Sequence, residues 1–157
     1  MDERDGFAST VPSPAPAAVT VELRADGHFE ASSPQGARII IGGETGPGGE
    51  PRWQPAELLM AALGGCIAMD VRAILEKSRA AQRHGRVTVL AAGRAEVPPG
   101  RPFLGFELIH DWGDHLDPRA VERAIRLAAE RYCTVQLTLE LGPRVSHRLA
   151  TESRDSG

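Results

Sequence analysis

From residue 19 onward apolar and polar side chains alternate. Val19, Val21 and Leu23 are separated by Thr20 and Glu22, the period-two pattern of a half-buried strand. Ala25-Asp26-Gly27 has turn chemistry, and His28 to Ala31 begins a return strand. Ser33-Pro34-Gln35-Gly36 is the next turn, and Arg38-Ile39-Ile40-Ile41 supplies a third strand. Short turns between successive strands predict an antiparallel meander. The segment from Gly42 to Arg52 then holds Gly42-Gly43, Gly48-Gly49 and two prolines, a loop long enough to approach a site.

At Pro55 the period changes. Proline suits the first turn of a helix, where its missing N–H costs little. The run Ala56 to Leu75 is rich in Ala and Leu and almost wholly apolar up to Val71. A helix apolar all round is expected to be buried. Gly64-Gly65 interrupts it at about 1 kcal/mol per glycine relative to alanine, so another group is expected to pack closely there. Glu76-Lys77-Ser78-Arg79 gives it a polar, basic end. Two strands follow, Val87 to Arg94 and Phe103 to Asp111, parted by Pro98-Pro99-Gly100. Asp117-Pro118 opens a second helix with an N-cap acid and proline at the first position. Val121, Ile125, Ala128 and Tyr132 share one face of it. Val135, Leu137 and Leu139 alternate with Thr134, Gln136 and Thr138, which predicts a strand, and Arg144 to Leu149 suggests another. The order β-β-β-α-β-β-α-β-β, with hairpins and only two helices, is that of an α+β fold.

Composition narrows the setting. The chain has 157 residues, enough for a single domain over 19–150, flanked by a disordered leader over 1–18 and a fraying tail over 151–157. A net charge of -3, with acids and bases interspersed, offers no footprint for nucleic acid. No run of about 18 apolar residues is evident, so no membrane association is expected. The N-terminus has no apolar core of a signal peptide. With only two cysteines in the chain, a secreted disulfide scaffold is disfavoured. A cytoplasmic protein with reduced thiols is expected.

The chemistry available centres on Cys66 and Cys133, 67 residues apart. The plainest reading of either is a small buried hydrophobe. Cys66 sits mid-helix, without help from a helix N-terminus, and needs a nearby cation to become a reactive thiolate. Glu57, at the third position of its helix, reads either as a capping acid or as a carboxylate orienting an arginine over a thiol. Arg24, Arg38 and Arg52 are the upstream candidates. The five histidines are dispersed, neither cysteine has a Cys or His neighbour at zinc-ligand spacing, and no metal site is expected. No phosphate loop, dinucleotide fingerprint or nucleophile elbow occurs, so no cofactor is expected.

Two motifs are specific. Pro55-Ala56-Glu57-Leu58-Leu59-Met60-Ala61-Ala62-Leu63-Gly64-Gly65-Cys66-Ile67-Ala68-Met69-Asp70-Val71 resembles the first cysteine helix of the OsmC/Ohr family of thiol peroxidases. Leu116-Asp117-Pro118 through Arg131-Tyr132-Cys133-Thr134-Val135 resembles that family's second helix and second cysteine. The Gly-Gly-Cys-x-Ala-x-Asp-Val and Tyr-Cys-x-Val runs are similar to its OsmC-like, YhfA-type subgroup. The resemblance covers roughly residues 19–149. It implies strand meanders around two long central helices, an intertwined homodimer, and reduction of an organic hydroperoxide. It implies Cys66 as the peroxidatic thiol, Cys133 as the resolving thiol, Glu57 as the carboxylate holding an arginine, and an external dithiol as reductant. One alignment, with an insertion, matches Arg24-Ala25-Asp26-Gly27 to the family's Arg-Asp-Gly turn and assigns Arg24. A gap-free match to the YhfA-type subgroup instead puts Thr20 near that subgroup's first-strand arginine.

Three functions are compatible with these features: a two-cysteine peroxidase, a non-catalytic small-molecule-binding or stress-associated relative, and a buried structural cysteine pair.

Overall fold

The alternating segment forms three short strands: β1 (Thr20–Leu23), β2 (Phe29–Ser32) and β3 (Arg38–Ile41). The structure, a computed structural model, describes residues 18–43, 48–77, 84–94 and 101–147 and divides into two compact units, Met1–Pro55 and Ala56–Gly157. All of the expected leader but residue 18, the Pro98-Pro99-Gly100 break, Ser78-Arg79 and the tail from residue 151 lie outside the described residues.

In the first unit the strands pair in the order β1-β2-β3, all antiparallel, with Val21 opposite Ala31 and Ala31 opposite Ile39. The turn between β1 and β2 needs Gly27, whose φ of 83° lets the Arg24 N–H donate to the His28 carbonyl at 2.7 Å. Ala31 is buried at the centre. β1 is not half-buried as its alternation suggests, because Val19, Val21 and Leu23 are each more than half exposed. A period-two pattern identifies an extended segment, whereas its burial depends on what covers it. After β3 the chain returns along the sheet edge, where the Gly42 N–H donates to the Trp53 carbonyl at 2.9 Å.

The second unit is built on α1 (Pro55–Lys77), β4 (Arg86–Ala91), β5 (Phe106–Asp111), α2 (Pro118–Leu127), a π-helical turn (Ala128–Tyr132) and α3 (Thr134–Leu141). The antiparallel pair β4-β5 places Val89 opposite Leu108 and Ala91 opposite Phe106 on its more buried face. Leu63, Ile67, Val71 and Leu75 form a buried line along α1 at four-residue spacing. Ile67, Val71 and Leu75 pack with Trp112, Ala124, Ala128 and Cys133 into one core.

Several sequence expectations change. Only one side of α1 is buried, and Met69 is 74% exposed, because one unit has partners for one face only. Over 18 residues α1 averages a hydropathy of 1.8 with 28% of that window buried, so its length and composition do reach those of a membrane span. A core helix passes the same test, and the line from Leu63 to Leu75 is such a core. The strand expected at Val135–Leu139 is instead helix α3. Alternation at 135, 137, 139 and 141 also contains i,i+4 pairs, so it fits a helix as well as a strand, and the cap at Cys133 decides between them. Residues 144–147 have no regular structure, so the described part of the final expected strand is absent. The α+β class stands, and among the described residues α1 is the one long helix, with 23 residues against 10 in α2 and 8 in α3.

Gly64 is required by packing. A Cβ there would lie 2.8 Å from Val89 Cγ2, whereas at Gly65 nothing lies within 4 Å. Gly65→Ala is therefore expected to stabilise the fold by up to about 1 kcal/mol. Gly64→Ala should be worse than Gly65→Ala by about 1–3 kcal/mol through overpacking against β4. Urea denaturation of the two variants checks the contrast.

Candidate functional site

The π turn creates the site. Residues 121, 125 and 128 face the core, and continued α-helix would bring Tyr132 inward next. Instead the Cys133 N–H donates to the Ala128 carbonyl at 2.8 Å, a five-residue step. In a regular α-helix the residue five beyond Ala128 points about 140° away from it. The wider turn brings Cys133 round to the core, fully buried, and leaves Tyr132 55% exposed. The face expected to carry Tyr132 carries the cysteine.

Cys66 lies on α1 beside the core and is half-buried. The Sγ atoms of Cys66 and Cys133 and a carboxylate oxygen of Asp70 all lie within 4.8 Å of one another. Both cysteines are free thiols. The structure thus joins the residues at 66 and 133 that the sequence singled out. It adds Asp70, one helical turn beyond Cys66, whose Oδ2 lies 4.0 Å from Cys66 Sγ. Asp70 stands inside the first cysteine motif, and its i,i+4 spacing was the signal available for it. Ligand spacing along the chain did not show this grouping, because folding makes it.

The two thiols have different surroundings. Cys133 caps α3, its Sγ accepting the Gln136 N–H at 3.4 Å. Burial pushes its pKa up, the Gln136 N–H opposes this, and the neighbouring Cys66 adds to the rise. Cys66 is the more accessible of the pair.

Glu57 is exposed in the first turn of α1, nine residues before Cys66. At 1.5 Å per residue it stands about 13 Å away along the axis and half a turn round, too far to touch Cys66 of its own helix. In the other unit, Arg24 and Arg38 both flank Glu30, at 3.8 and 3.7 Å. Arg52 is half-buried, with one buried guanidinium nitrogen lacking a hydrogen-bond partner among the described residues.

In the same unit a cleft of about 460 Å³ is lined by Leu63, Phe103, Leu104, Phe106 and Leu108, with Gln136 and Glu140 as polar edges, and neither cysteine is in its lining. Leu63 is one turn before Cys66, and Gln136 is the residue whose N–H reaches Cys133.

The fold and the cysteine pair define a class. The OsmC-like protein profile matches residues 46–148, and the chain belongs to the OsmC-like family. Protein YhfA of Escherichia coli K12 is 34% identical over 119 residues, covering 76% of this chain and 86% of YhfA. The crystal structure of a hypothetical protein from Aquifex aeolicus VF5 superposes with a TM-score of 0.66 at 25% identity, covering 80% of this chain and 88% of that one. An organic hydroperoxide resistance protein OsmC from Legionella pneumophila shares the fold at a TM-score of 0.51 and 17% identity, covering 81% of this chain and 90% of that one.

Because the folded state holds Cys133 as a neutral thiol, its raised pKa stabilises the protein below the unfolded cysteine pKa of about 8.5. That stability is lost as pH rises through the folded value, since the unfolded chain ionises first. Reduced protein should therefore show a falling urea midpoint above about pH 8.5. Cys133→Ala should remove that slope.

Proposed function

We propose that this protein is a thiol-dependent peroxidase for organic hydroperoxides. The observation that carries the reading is an accessible Cys66 held beside a buried Cys133 across 67 residues of sequence. The name of the Legionella relative, a hydroperoxide resistance protein, supports the same chemistry.

The Cys66 thiolate attacks the distal oxygen of ROOH, the O–O bond breaks, and the alkoxide leaves as ROH after taking a proton. Cys66 becomes a sulfenic acid. Cys133 then attacks the Cys66 sulfur, water leaves, and the pair is joined as a disulfide. Burial keeps Cys133 neutral at rest, so it gives up its proton as it attacks. An external dithiol restores both thiols by exchange. A cycle that begins from two reduced thiols suits a reducing compartment such as the cytoplasm.

Thiolate attack calls for a cation, and the resemblance assigns it to Arg24, held by Glu57. A homodimer would cover the apolar outer face of α1. It would also bring a second Glu57 into play, which the axial distance within one helix requires. The cleft beside Leu63 suits an apolar R group, each buried methylene adding about 0.8 kcal/mol. That cleft also supports a second reading, a non-catalytic binder of small apolar molecules.

With tert-butyl hydroperoxide and a dithiol reductant, wild-type protein should consume peroxide, and Cys66→Ser should abolish turnover. Cys133→Ser should complete one turnover and stop at the sulfenic acid. Bulky organic hydroperoxides should exceed hydrogen peroxide in kcat/KM by roughly tenfold or more. Arg24→Ala, Arg38→Ala and Arg52→Ala assign the cation, Arg24→Ala being expected to slow the first step most. Absence of Cys66-dependent turnover, with both thiols alkylating slowly at neutral pH, would favour the binder.

A further inference from the structure

We infer that the reduced thiol pair, together with Asp70, is a binding site for one soft divalent transition-metal ion of the Zn²⁺ class. Three potential ligand atoms, two sulfurs and one carboxylate oxygen, lie within 4.8 Å of one another. Tetrahedral coordination with bonds of about 2.3 Å to sulfur and about 2.1 Å to oxygen separates neighbouring ligands by about 3.5–3.8 Å. Cys66 Sγ and Asp70 Oδ2 are already 4.0 Å apart. The other separations are at most 4.8 Å, so closing the set takes shifts of about 1 Å, a distance that side-chain torsions can supply.

The donor set selects the metal. Two thiolates favour Zn²⁺ and its neighbours over Mg²⁺ or Ca²⁺, which prefer all-oxygen sites. The carboxylate completes a trianionic site, leaving a fourth position for solvent. Cys66 and Asp70 are at i and i+4 on α1, the spacing at which helical metal-ligand pairs share one face. Cys133 is oriented by the Gln136 N–H at 3.4 Å, which serves a ligating sulfur as well as a free one.

A second feature points to a cation. Among the described residues of this unit, Asp70 has no ion-pair partner, and its one hydrogen-bond contact is Cys66. A partly buried carboxylate facing two groups that themselves ionise to anions lacks compensation within the unit. A divalent ion supplies it.

Binding replaces the two S–H protons with metal–sulfur bonds and releases both protons to solvent, with no change in oxidation state. Disulfide formation withdraws both thiolate ligands. When ROOH is the oxidant, the sulfurs give up two electrons, ROOH takes those electrons and two protons to become ROH and water, and the ion is freed. Metal occupancy and the disulfide therefore exclude one another.

The test is titration of the fully reduced full-length protein with Co²⁺, in the absence of peroxide. One equivalent should produce thiolate-to-cobalt charge-transfer absorption with the visible bands of a four-coordinate ion, and Zn²⁺ should bleach them. In weak buffer two protons should be released per ion. Zn²⁺ should slow iodoacetamide labelling of both cysteines at least tenfold. Asp70→Asn, a near-isosteric change at a partly exposed helix position, should weaken affinity on the order of 100-fold while leaving the circular dichroism unchanged. Diamide oxidation to the disulfide should release the metal. Absence of the cobalt–thiolate band at one equivalent, affinity unchanged in Asp70→Asn, or metal retained by the disulfide form would overturn the inference. Because peroxide never enters the titration, failure of the peroxidase reading leaves this result standing, and the reverse also holds.

Discussion

The second unit depends on one change of helical register. Where α2 passes into the π turn, the chain takes five residues to close a ring that an α-helix closes in four, and this rotates Cys133 into the core. The turn has a local cost in hydrogen-bond geometry, offset by the packing and capping that it makes possible. A fully buried sulfur fills the space between α1 and the end of α2, and the same residue caps α3. Without that register the apolar face would present Tyr132, and the two thiols would be on different sides of their helices.

Around this constraint the remaining parts are ordinary packing. The line Leu63, Ile67, Val71, Leu75 seats α1, with Gly64 allowing β4 to approach as closely as Val89 does. Trp112 closes the far end, lying so near Gly85 that a Cβ there would meet its ring at 2.5 Å. Its indole N–H donates to His110 Nδ1 at 3.3 Å, and burial holds the His110 pKa down, so the imidazole remains a neutral acceptor. The site is thus carried by rigid elements, with an accessible thiol on one helix and a buried one at the junction of two others.

A shared set of atoms also links the two readings of the site. The proximity that lets a sulfenic acid meet a second thiol is the proximity that lets two thiolates share a metal ion. Asp70 separates them, because it has no part in disulfide formation and a direct one in cation binding.

Much was legible in the sequence. Pro55, the apolar run and the basic end at Lys77 specified α1, and Asp117-Pro118 specified the start of α2, because caps and proline act locally through backbone hydrogen bonding. The meander was set by alternation and its turn glycines. The motifs around Cys66 and Cys133 pointed to the family to which the chain belongs. Tertiary structure alone decided four things: that β1 is exposed, that residues 134–141 are helical, that Cys133 rather than Tyr132 faces inward, and that Asp70 joins the two cysteines. Each depends on residues distant in sequence or on a one-residue shift in register. Local propensity and periodicity carry no information about either, since they report which face of a segment is apolar and not what meets it.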